Sequence, residues 1–98
     1  MAENHYILVR TICVQYKIEP VFLEDLQGIG LVDIITIEND KFLHQDTLAD
    51  LEKMIRLHNE LNVNLEGIDV VFNLLKKVNT LQQELSVTKN KLLFYENQ

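Results

Sequence analysis

The side chains best suited to hold a metal or to act as nucleophile and base are His5, His44, His58 and Cys13, and their spacing suits neither task. The histidines lie far apart, and none stands in sequence where a cysteine, a second histidine or a carboxylate of the HExxH kind would complete a metal site. His58 and Glu60 are two residues apart on an expected helix, so they face different ways. Gly28-Ile29-Gly30 lacks the third glycine and the lysine that a phosphate-cradling loop requires. Cys13 has no obvious base nearby and is expected to be a small buried hydrophobe, with a reactive thiol as the alternative. The chain is therefore not expected to be an enzyme, and no metal or cofactor is expected.

What remains is charge, and it is unevenly distributed. Residues 1–75 carry five basic side chains against thirteen acidic ones, a net of −8, while residues 76–98 carry four against two, a net of +2. Between Lys17 and Gly28 one lysine faces Glu19, Glu24 and Asp25, and there is no arginine. Nucleic-acid affinity comes largely from lysine and arginine neutralising phosphates, so a surface of this sign would repel DNA.

These acids need elements to position them. Ile7-Leu8-Val9 is a short apolar run suited to a strand or extended lead-in, and Ile12, Cys13 and Tyr16 suit one face of a short helix. Glu19 and Pro20 mark a second helix start: proline tolerates the first turn, and a carboxylate favours the positive end of the helix dipole. Phe22, Leu23 and Leu26 supply its apolar face, and Gly28 and Gly30 end it. Two short helices joined by about three residues form a helix-turn-helix.

The β-branched run around Val32, Ile34, Ile35 and Ile37 predicts a strand, Glu38-Asn39-Asp40-Lys41 a turn, and Phe42-Leu43-His44 the returning strand of a small two-stranded wing. An isolated hairpin is marginal in water, so its apolar face must pack on the helices. From Asp46 the period becomes helical, through Leu48, Leu51, Ile55, Leu57 and Leu61, with Asp46 or Thr47 as the cap. Asn62-Val63-Asn64 interrupts the pattern, and Leu65-Glu66-Gly67-Ile68 restarts it as a long last helix.

That helix carries a second signal. Val71, Leu74, Val78, Leu81, Leu85, Thr88, Leu92 and Tyr95 alternate steps of three and four, the pattern of a coiled-coil seam. A homodimer through Val71, Leu74, Val78, Leu81, Leu85 and Leu92 is expected. Phe72, Leu75 and Leu93 widen the stripe, so part of it is also available to pack within the chain.

Ninety-eight residues, 47% of them hydrophobic, suit one small structural unit, divided into a winged helix-turn-helix over 1–75 and the end of the long helix over 76–98. The apolar runs are too short to cross a bilayer, and the start of the sequence lacks a basic region followed by an apolar core and cleavage site. One cysteine permits no intrachain disulfide, so a reducing, cytoplasmic setting is expected.

The order of a first helix, a turn, a second helix running into Gly28-Ile29-Gly30-Leu31-Val32, a wing, then LEKMIRLHNELNVNLEGIDVVFNLL and a terminal helix is similar to the MerR-like winged helix-turn-helix. The fold implied is mainly α, with a two-stranded wing and a long C-terminal coiled-coil helix. DNA-binding members usually carry a Leu-Arg-Tyr-Tyr run in the second helix, where this chain has Leu23-Glu24-Asp25-Leu26. Within this group the chain resembles the chaperone modulator family CbpM over nearly its whole length. The resemblance rests on ICVQYKIEPVFLEDLQGIGLVD and on Arg56 to Leu61, Gly67-Ile68 and Leu81-Gln82-Gln83-Glu84.

The CbpM resemblance implies binding to the J-domain of a DnaJ-like co-chaperone of the CbpA type, and inhibition of that protein's work with Hsp70 and of its DNA binding. On that reading Glu19, Glu24 and Asp25, with Asp33, Glu38 and Asp40, form an anionic patch for the J-domain's lysines and arginines. Phe22 and Phe42 are the candidate apolar anchors beside it. The competing expectation is a plain solvated face with both phenylalanines in the core. The competing function is a MerR-like or excisionase-like DNA-binding transcriptional regulator.

Overall fold

The computed structural model describes residues 5–97. In chain order its elements are β1 (Tyr6–Leu8), α1 (Val9–Tyr16), α2 (Pro20–Gly28), β2 (Ile34–Ile37), β3 (Asp40–His44), a single 3-10 turn (Gln45–Thr47), α3 (Leu48–Leu61) and α4 (Leu65–Glu96). The chain divides into two compact units, with the boundary between Ile68 and Asp69.

The helix-turn-helix forms as its residues dictate. α1 buries Val9, Ile12 and Cys13, and it stops where Lys17 turns left-handed (φ 57°) and Ile18 N–H donates back to the Cys13 carbonyl at 3.0 Å. Pro20 occupies the first turn of α2, whose face of Phe22, Leu23 and Leu26 is buried. Gly30 provides the left-handed residue (φ 81°) that lets Leu31 N–H reach the Leu26 carbonyl at 2.9 Å, closing the helix C-terminus.

The wing differs from the two-stranded expectation. The sheet has three antiparallel strands in the order β1-β3-β2, because the apolar lead-in at Tyr6–Leu8 pairs with β3. Ile7 and Ile34 flank Leu43 on either side, and Leu43 is fully buried. This third strand is what a lone hairpin lacked: a row of side chains across a sheet wide enough to cover α1. The turn is also tighter than expected. Only Glu38 and Asn39 form it, both with positive φ (50° and 71°), the type I′ pattern whose twist matches a hairpin, and Asp40 and Lys41 belong to β3. Val32, expected at the strand start, precedes β2 and is buried.

The start of α3 is capped differently too. Neither Asp46 nor Thr47 caps it with a side chain; the His44 ring accepts the Asp46 N–H at 3.1 Å and so begins the 3-10 turn that leads into the helix. Leu51 and Met54 are buried, and His58, one turn later and exposed, lays its ring against Phe22. Leu61, expected on the apolar face, is exposed: it is the last residue of α3, past the end of the buried stretch. α3 ends at Asn62 (φ 55°). Asn64 then caps α4, its Oδ1 accepting the Gly67 N–H at 2.8 Å. Tyr16 at the end of α1 donates its hydroxyl proton to Glu52 Oε2 on α3 at 2.6 Å.

In the second unit, every described residue of α4 from Asn73 onward is exposed.

Candidate partner-binding surface

Burial of Phe22, Leu23 and Leu26 turns the other side of α2 outward, and that side presents Val21, Glu24, Asp25 and Gln27. Glu19, just before the helix, is also exposed. The sequence of α2 contains no lysine or arginine, so the element that would read a major groove offers carboxylates instead.

The acids expected to form one patch are not uniform in their surroundings. Glu24 accepts from Lys41 Nζ at 3.4 Å, which ties α2 to β3. Asp40 Oδ1 lies 3.9 Å from Arg10 Nη1, which ties β3 to α1. These four charged side chains surround a shallow cleft between α1, α2 and the hairpin. Asp33 lines a second depression, beside Asp46 and Asp50. Sequence reasoning missed those two, although their four-residue spacing at the start of an expected helix placed them on one face. Glu19, Asp25, Asp33 and Glu38 make no ion pair among the described residues.

Phe22 is a correction. It is only 9% exposed, and its ring lies 4.8 Å from the His58 ring at an interplanar angle of 30°, so it belongs to the core and is not an exposed anchor. Helical spacing with Leu23 and Leu26 was the signal for this. Phe42 is half-buried in β3.

Cys13 is buried as its position among Val9 and Ile12 implied. Burial, and then the nearby Glu19 carboxylate, pushes its thiol above the ordinary value, which keeps it protonated and poorly nucleophilic at neutral pH. Strand pairing does bring two distant histidines together: the His5 and His44 rings lie 5.7 Å apart, and Tyr6 packs edge-on to His44 at 5.1 Å. No group of three or more potential metal ligands occurs among the described residues.

On α4, the expected seam residues Leu74, Val78, Leu81, Leu85 and Leu92 are between 46% and 63% exposed, and Val71 is half-buried. Among the described residues no helix is long and apolar enough to cross a membrane.

Comparison with curated proteins returned no match, and comparison with solved structures returned none either. The family model for MerR HTH family regulatory proteins matches residues 7–90, most of the chain, and the chain therefore belongs to the MerR helix-turn-helix family of regulatory proteins.

Proposed function

We propose that this chain regulates by binding a protein, the J-domain of a DnaJ-like co-chaperone of the CbpA type, and that it inhibits that partner's co-chaperone and DNA-binding activity. The observation that carries the reading is the outward side of α2, which presents Glu24 and Asp25 and contributes no lysine or arginine of its own. J-domains present a basic helix to Hsp70, and an acidic recognition helix is its electrostatic complement. Such complementarity speeds encounter and sets specificity more than it sets affinity. The exposed seam of α4 supports a homodimer with one acidic helix-turn-helix per protomer.

A pull-down of the isolated J-domain by the full chain tests the reading. Binding should weaken at low salt when Glu24 and Asp25 are both replaced by lysine, and affinity unchanged at every ionic strength would remove α2 from the interface.

The family match is equally consistent with a second reading, a MerR-like or excisionase-like DNA-binding regulator, because family membership accommodates both ligands. A gel-shift titration separates them: tight sequence-specific binding with a steep salt slope would overturn the preference for a protein partner.

A further inference from the structure

The cleft between α1, α2 and the hairpin combines an apolar lining with weak ionic closures. Leu8, Cys13, Pro20 and Ile34 contribute the lining, and the volume is about 290 Å³. That lies at the bottom of the roughly 300–1,000 Å³ typical of ligand pockets, which suits a single inserted side chain better than a cofactor. Two ion pairs border it, Lys41 to Glu24 at 3.4 Å and Arg10 to Asp40 at 3.9 Å. Both are longer than the roughly 2.7–2.9 Å of a strong charge-assisted hydrogen bond. All four side chains are at least half exposed, so water screens them and little is lost when either pair opens. The surrounding chain is acidic, with a net charge of −8 over residues 1–75.

We propose that this cleft receives an aliphatic side chain from a basic segment of the partner, whose flanking cations take Glu24 from Lys41 and Asp40 from Arg10. The proposal rests on the J-domain reading given above. Lys41 and Arg10 are then internal competitors: they occupy the two carboxylates in the free protein and yield them when a partner supplies better-placed cations. Neither carboxylate has to be stripped of water from an unpaired state, and a partner without cations has nothing to give the two carboxylates in exchange. Selectivity for basic segments follows from exchange.

The test is a titration of the isotope-labelled full chain with the isolated J-domain at low salt, read by amide chemical shifts and by affinity. Shifts should concentrate at Val9, Cys13 and Ile34, which line the cleft or its border. Replacing Lys41 with methionine should tighten binding about threefold, since an exposed pair of this kind contributes little and its competitor is gone. Glu24→Gln should weaken binding about fivefold. Lys53→Met removes the same charge from α3 and should change affinity by less than about 1.5-fold, because it leaves both rim pairs intact. Should Lys41→Met disturb folding by circular dichroism, Arg10→Met makes the same comparison. Equal tightening by Lys41→Met and Lys53→Met would mean that only net charge matters, and would overturn the exchange while leaving the J-domain reading in place. Absence of any wild-type binding would overturn both.

Discussion

Leu81 offers the most direct test of what α4 does. It is 63% exposed in the single chain, and it stands in the middle of the row that a partner helix would cover. Full burial of a leucine contributes about 2 kcal/mol, so closing a 63% exposed side chain contributes about 1.3 kcal/mol, or about 2.5 kcal/mol for the two copies in a homodimer. Replacing Leu81 with serine should therefore weaken self-association about 70-fold. Val87 is the matched control: it is 54% exposed on the same helix but lies outside the row. Val87→Ser should change the dimer constant by no more than about threefold, because it removes apolar surface that no seam covers. Sedimentation equilibrium over a concentration series measures both constants, and circular dichroism at 222 nm establishes that α4 stays helical. Equal weakening by the two variants would show undirected apolar association. A wild-type chain that remains monomeric at hundreds of micromolar would refute the seam outright.

Two further outcomes concern single hydrogen bonds, one between α1 and α3 and one at the start of α4. The hydrogen bond to Glu52, then burial, then the Glu52 charge raise the Tyr16 hydroxyl above its ordinary value of 10.0. A raised folded value stabilises the fold fully below the ordinary tyrosine range, and that stabilisation disappears as pH rises through the folded value. Glu52→Gln should cost about 0.5–1 kcal/mol in urea unfolding near pH 8, allowing for solvent screening, and the deficit should shrink in strong alkali. In the same variant, tyrosinate absorbance near 295 nm should show one tyrosine titrating at lower pH than in the wild type; an unchanged titration would remove the bond. At the start of α4, Asn64→Ala should cost about 1 kcal/mol and Asn64→Asp should retain most of that, as expected of a side chain accepting the Gly67 N–H. A loss for the alanine variant within error of zero would mean that Asn64 is not the cap.

Much of this architecture was readable from local rules. Pro20 and Gly30 bounded α2 because proline fixes φ where a helix can start and glycine enters the left-handed turn that ends one, and the apolar spacing of Phe22, Leu23 and Leu26 decided which side turned inward. Long-range pairing was not readable. Tyr6–Leu8 is only three residues long and becomes a strand because β3, more than thirty residues later, presents a matching row. The same reason hid the His44 cap and the approach of His5 to His44, both of which depend on where β3 ends. For the candidate surface, the sign of the charge was legible, since Glu24 and Asp25 could not be buried. Their pairing was not: nothing local to α2 says that Lys41 reaches Glu24, or that Asp40 rather than Glu38 finds Arg10.

β1 ends at Leu8 and α1 begins at Val9, with no residue between them, and β3 is bonded on both sides. The hairpin is thus clamped to the first helix by main chain at one edge, and it is not a free arm that must be frozen before it can be read. Ordering a mobile loop costs roughly 1–2 kcal/mol for each residue fixed. A ligand of this surface meets backbone that folding has already ordered, so more of its contact energy is left over as affinity.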